Sequence, residues 1–334
     1  MSTAFSIDKR TTLAQITDKV KSAGIGWFGG RLFVNGGSGT QPLATAEQFG
    51  TTYFVDPQNG SAANDGKSWA SAFAAMSSLD DILVSGDRIR LRGVLREQWT
   101  APTEVNNVTL IGEDANPRQA TISGVPENGG ATWLSPSSGN DNDEPLLKLT
   151  ARTWTIEGVF FNSDSTANGC VELKNLEVPE GQSSSNAAFI NCKFTGATYG
   201  IVSNGGAGWV RILNCEFFGF GDSGDAAITS VSTAVALPRG WQIEWSYFYD
   251  NDIHIDIPLS SSRIAGNTFD NASVNVTASM HIDLTGGKNN HVVYNTFNVD
   301  KDTAGLQNKF VVGTTPVFFN IFTDGEVAGA PPGA

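Results

Sequence analysis

Ile212-Leu213-Asn214-Cys215-Glu216-Phe217, Ile243-Glu244-Trp245-Ser246-Tyr247-Phe248, Ile264-Ala265-Gly266-Asn267-Thr268-Phe269 and Val292-Val293-Tyr294-Asn295-Thr296-Phe297 are written on one frame. Each opens with an aliphatic residue and closes with phenylalanine, and its fourth position is small or an amide. Three more segments fit: Ile156 to Phe161, Phe189 to Phe194 (Phe in the aliphatic place) and Val317 to Phe322. The closing phenylalanines are 33, 23, 31, 21, 28 and 25 residues apart. A solenoid coil of three short strands and three turns takes about this many residues, with insertions absorbed in the turns. The spacing predicts an all-β, right-handed, single-stranded parallel β-helix. Phe161, Phe194, Phe217, Phe248, Phe269, Phe297 and Phe322 should form one internal column. Two residues before each Phe stand Val159, Cys192, Cys215, Ser246, Asn267, Asn295 and Asn320. Stacked about 4.8 Å apart, the amides can bond to one another and to turn backbone. Cys192 and Cys215 then stack as small buried residues and need not be redox centres.

Upstream, Tyr53-Phe54-Val55-Asp56-Pro57 reads as a strand running into a turn, and Asn59-Gly60 and Asp65-Gly66 are turn signals. Trp69 to Val84 carries Trp69, Phe73, Met76, Leu79, Ile82 and Leu83 at helical spacing. A helix there would cap the open end of the solenoid, which otherwise presents unpaired strand edges. Asp87 to Arg92 alternates with period two, as a half-buried strand should. Residues 1–50 read as an N-terminal arm with a short helix on Leu13, Ile16 and Val20, followed by a glycine-rich stretch. Such a helix is marginal alone, so it either lies on a partner or folds back on its own domain. Residues 51–324 form the solenoid, and 325–334 read as an irregular tail.

The 334 residues are 40% hydrophobic and 16% charged, with 37 glycines, a turn-rich all-β composition. A formal charge of −13 argues against a nucleic-acid partner, which needs clustered Lys and Arg. No run of about 18 apolar residues would span a membrane, and the first twelve residues hold no apolar core of signal-peptide length. Synthesis in a cytoplasm is the expectation. Cys170, Cys192 and Cys215 have no metal-site spacing, and no cofactor is called for.

Candidate chemistry lies on two similar strands, Ile253-His254-Ile255-Asp256-Ile257 and Met280-His281-Ile282-Asp283-Leu284. Strict alternation would place His254, Asp256, His281 and Asp283 together on the outer face, one coil apart. Stacked His-Asp pairs could bind a metal or supply acid-base chemistry, or simply satisfy one another as a repeated ladder. Asp222, Asp225, Asp250 and Asp252 form a second acidic group. It could serve glycoside hydrolysis or calcium, although glycine-flanked aspartates are also ordinary turn residues. Trp27, Trp99, Trp133, Trp154, Trp209, Trp241, Trp245, Tyr247 and Tyr249 could pack in the core, at a subunit interface or against sugar. There is no phosphate-binding loop and no Ser-His-Asp signature.

The run Tyr53 to Gly60, then Asn64-Asp65-Gly66-Lys67-Ser68-Trp69-Ala70-Ser71-Ala72-Phe73, resembles the opening of pectate-lyase-like β-helix proteins, as do Gly86 to Leu91 and Asn107 to Gly112. Modules of this kind are frequent in bacteriophage virion proteins. The resemblance, over roughly residues 51 to 322, implies a homotrimer with three solenoids side by side. The Gly-His-Gly turn, the repeat-strand Asp-Asp doublet and the Arg-x-Lys of the best-known lyases and polygalacturonases have no counterpart here; Asp80-Asp81 falls on the predicted helix. The expectation is a head decoration or cement protein on the virion surface, its arm on the major capsid protein or another virion protein. The alternative is a short tailspike or tail-fibre protein that binds or depolymerises a host surface polysaccharide. Tailspikes carry longer solenoids, which favours the first.

Overall fold

The computed structural model describes residues 25–28, 31–34, 50–113, 131–137, 144–163, 169–174, 184–196, 198–222, 224–231, 237–270, 280–298, 311–312, 317–322 and 327–329. The chain divides into two compact units, Met1–Gly50 and Thr51–Ala334.

In the first unit, Ile25–Phe28 and Arg31–Val34 pair antiparallel, so part of the expected extended arm is a hairpin. The helix expected at Leu13, Ile16 and Val20 lies outside the described residues.

The second unit is a parallel β-helix with three faces. Ile89, Leu110, Ile156, Phe189, Ile212, Ile243, Ile264, Val292 and Val317 stack in register along the first. The second carries the phenylalanine column, from Phe161 through Phe194, Phe217, Phe248 and Phe269 to Phe297. Leu147, Val171, Ile201, Ile228, Ile255 and Ile282 stack on the third.

The six described column rings are fully buried, and successive centroids lie 5.3, 4.6, 4.9, 5.0 and 5.0 Å apart. Trp133 heads the column, 5.6 Å from Phe161. At the other end Phe322 pairs in register with Phe297 through its backbone; its side chain lies outside the described residues.

The frame is held by one left-handed residue at the corner between the first and second faces. Asn191 and Asn214 take φ of 53°, and Gly158 and Gly266 take 69° and 67°. Asparagine and glycine adopt this conformation with the least strain. Behind that corner runs the amide ladder. The backbone N–H groups of Ser246, Asn267 and Asn295 donate to the side-chain oxygens of Asn267, Asn295 and Asn320 in turn, at 2.9, 3.0 and 2.9 Å. Each amide nitrogen donates to a carbonyl of an earlier coil, as Asn267 does to Ile243 at 2.9 Å. These bonds satisfy backbone groups that a buried turn would otherwise leave orphaned. A second ladder at the preceding corner, Ser262 and Asn290, works the same way and was not anticipated.

Two expectations fail. Residues 69–84 form no continuous helix. Trp69–Ser71 and Met76–Leu79 are single 3-10 turns, and Ala72 and Ala75 are extended. The reason is that Phe73 bridges Val55, donating to Phe54 O at 2.9 Å while its carbonyl accepts from Asp56 N at 2.8 Å. The first strand therefore gains an edge partner. Phe73, Met76, Leu79 and Leu83 remain buried, so the segment covers the open end without being helical. Likewise the tail is not wholly irregular, because Val327–Gly329 folds back antiparallel on Val317–Phe322.

Candidate functional site

The stacked His-Asp pairs do not exist on one face. His254 and His281 are fully buried, their ring centroids 5.0 Å apart and within 6.4 Å of Phe248, Phe269 and Phe297. Strict alternation fails inside the strands Ile253–Asp256 and Met280–Asp283, where the ladder is locally irregular. The ladder pairs Ile253 with Met280 and Ile255 with Ile282, passing over the histidines. His254 and Ile255 thus point inward in succession, as do Ala227 and Ile228 one coil earlier. His254 Nδ1 lies 3.0 Å from Asn251 Nδ2. Asp256 and Asp283 do stand outside, in register and half-buried. Burial, and then the neighbouring Asp283, raises the pKa of Asp256.

Burial holds His281 at a pKa of about 4, below its ordinary 6.5. Because the folded value is depressed, the unfolded chain binds the proton first as pH falls, and stability is lost between about pH 6.5 and 4. The full loss is about 3 kcal/mol at 1.36 kcal/mol per pKa unit. Thermal melts at pH 7.5 and 4.5 should show His281→Gln losing less stability on acidification than the parent. Equal losses in the two proteins would show that His281 does not control the acid limb.

Asp225, expected in the second acidic group, has its pKa raised to about 6 by burial, then by Asp222 and Asp252. Asp225 N donates to Asp222 O at 2.9 Å, the bonding of a turn, and Gly224 N donates to Asp252 Oδ2, 28 residues on, at 2.8 Å. Asp250 occupies a left-handed position, φ 53°. Among the described residues no group of three His, Cys, Asp or Glu side chains is arranged to hold a metal ion.

The aromatic residues divide sharply. Trp99, Trp133, Trp154 and Trp241 are buried, and the indole N–H of Trp241 donates to Ala207 O at 2.8 Å. Trp209 and Trp245 are exposed. The Trp27 side chain lies outside the described residues. Cys170, Cys192 and Cys215 are free and buried, and burial pushes the Cys170 thiol up to about 11, an inert setting.

One polar cluster was missed. Residues on either side of each column phenylalanine point outward, so Lys193, Glu216 and Tyr247 share one outer row with Phe160. Phe218, Tyr249 and Asp270 share the next. Lys193 Nζ sits 4.5 Å above the Phe218 ring and 3.3 Å from Glu216. The Tyr249 hydroxyl donates to Glu216 at 2.9 Å and that of Tyr247 to Asp270 at 2.6 Å. Burial, then these carboxylates, raises both phenols, which stay neutral donors. The rings of Phe218, Tyr249 and Tyr247 follow at 5.0 Å steps. Both phenol hydrogens are thus committed to carboxylates, and Phe160, Lys193 and Phe218 are buried, so the cluster largely satisfies itself. The signal was available in sequence, since the column fixes the parity of its own neighbours.

No protein-family model matches the chain, and no curated protein sequence does either. Among solved structures it is similar to XylC in complex with xylose, at 10% identity over 81% of this chain and 68% of that one, TM-score 0.48. It is similar to PfbA, a surface adhesin of Streptococcus pneumoniae, at 13% identity over 72% of this chain and 60% of that one, TM-score 0.43. A third is ORF18 of Geobacillus virus E2, at 9% identity over 90% and 68% of the two chains, TM-score 0.44. The chain thus spans about three fifths of the adhesin's length. Likeness at this level does not choose among sugar-bound, adhesive and viral proteins.

Proposed function

We propose that this protein is a structural component of a bacteriophage virion, a homotrimeric decoration or cement protein on the head surface. The observation that carries the reading is where the two histidines lie. The groups with the best claim to acid-base chemistry are core packing, and their aspartates are left as a half-buried like-charged pair on the outer face. The phage setting rests on the resemblance of residues 53–60, 64–73, 86–91 and 107–112 to pectate-lyase-like β-helix modules, which are frequent in bacteriophage virion proteins. Residues 1–50, a compact unit of their own, would attach to the major capsid protein or another virion protein, and the solenoid would project. The net charge of −13 supports a protein partner over nucleic acid.

Sedimentation of the full chain should give a trimer, and electron cryomicroscopy of the particle should place three copies about a threefold axis on the head. Monomers on the particle, or copies confined to the tail, would overturn the reading. A second reading, a spike that binds or cuts host surface polysaccharide, is favoured by the exposed aromatic residues. Release of reducing or unsaturated ends from host capsule would support it.

A further inference from the structure

Four residues cost the fold twice. Trp209, Trp245, Tyr294 and Phe319 have φ of 60°, 56°, 58° and 53°, the left-handed region that bulky L-residues avoid. They are also 58%, 65%, 60% and 58% exposed. At the corner that Trp245, Tyr294 and Phe319 occupy, other coils use Gly158, Asn191, Asn214 and Gly266, which take this conformation readily. Folding alone would select glycine or asparagine at every coil. A ring kept where it adds strain and buries little is retained for what it presents outward.

Trp245, Tyr294 and Phe319 form a strip. Each directly follows a residue of one registered row, Glu244, Ala265, Val293 and Phe318, with Gly266 following Ala265. The Tyr294 and Phe319 rings stack with centroids 5.6 Å apart and planes within 9°. The intervening coil carries Gly266, over which the Trp245 indole lies. A Cβ on Gly266 would come within 2.8 Å of indole carbons Cε3 and Cζ3. At about 4.8 Å per coil, the strip runs roughly 14 Å along the solenoid.

We propose that this strip is a binding platform for a neutral polysaccharide, whose sugar rings stack on Trp245, Tyr294 and Phe319. The exposed ring area is roughly 400 Å², taking about 200 Å² per aromatic side chain. That is half of the roughly 800 Å² per partner in a stable protein interface. A sugar needs less, because rings give contact and flanking polar groups give orientation. Here the flanks supply Thr268 and Thr296, and Tyr247 bonded to Asp270 at 2.6 Å. Neutrality follows from charge. Glu244 and Asp270 flank the strip, Arg263 is engaged by Glu244 at 2.7 Å, and the chain carries −13. An acidic polymer would meet repulsion.

The test is affinity electrophoresis of the full chain through gels cast with dextran, galactomannan or a neutral O-antigen polysaccharide, and separately with alginate or polygalacturonate. Retardation by at least one neutral polymer is expected, with the apparent Kd raised at least tenfold in the triple variant Trp245→Asn, Tyr294→Asn, Phe319→Asn. Because asparagine accepts positive φ, that variant should melt at the same or a higher temperature. The proposal is overturned if no neutral polymer retards the protein, if only acidic ones do, or if the variant binds equally well. A variant that melts several degrees lower would make the rings structural, and one that loses self-association would make the strip a contact between copies. The binding and melting outcomes bear on neither copy number nor position on a particle, so the virion reading stands or falls separately.

Discussion

Phe217→Ala is expected to destabilise the solenoid by about 3–5 kcal/mol, the range for truncating a fully buried aromatic side chain. Phe217 is stacked on both sides, 4.6 Å from Phe194 and 4.9 Å from Phe248, with interplanar angles of 8° and 5°. Its rungs are pinned by backbone ladders above and below, so the column cannot collapse into the space a missing ring leaves. Phe217→Leu should recover part of the loss by refilling volume without the ring contacts. Denaturant unfolding of the three proteins measures this. A loss under 1 kcal/mol for the alanine variant would mean that the column is filler and the ladders alone hold the coils.

The second large effect is expected at Asn295, where an apolar residue of similar size should cost about as much. Asn295 Oδ1 accepts from Asn267 N at 3.0 Å and from Asn267 Nδ2 at 3.0 Å, while its own Nδ2 donates to Ile264 O at 3.1 Å. Asn295→Leu takes the acceptor from Asn267 N and a donor from Ile264 O, at about 1–3 kcal/mol for each buried group left unsatisfied, while Asn267 Nδ2 keeps Ile243 O. Asn295→Ser should cost less, since Ser246 performs the accepting half of the task two coils earlier, taking Cys215 N at 3.1 Å. Unfolding free energies should rank parent, serine and leucine in that order. A leucine variant as stable as the parent would show that water or backbone movement satisfies the corner.

The column and the amide ladder were legible because the frame repeats them: Asn267, Asn295 and Asn320 recur at one offset from Phe269, Phe297 and Phe322, and stacking follows from offset alone. The histidines were not. Alternation fails where a ladder skips a residue, and nothing in Ile253-His254-Ile255 marks the skip. Trp69 to Val84 misled for another reason. Its apolar spacing fits a helix, yet the competing partner was the free edge of Thr52–Val55, a tertiary bond that no local pattern reports. The exposed corner rings were invisible because intrinsic preference argues against Trp, Tyr or Phe at positive φ. Departures of that sort are expected where a surface serves something other than stability.

The reversed strand Val327–Gly329 bears on how the molecule meets its own kind. A stack of parallel rungs is a template on which another copy could continue, rung upon rung, into a fibre. At one terminus the last rung is already occupied by a segment of opposite polarity, and at the other Phe73 takes the place where an incoming rung would pair. End-to-end growth is thereby obstructed on the rungs that these two segments cover.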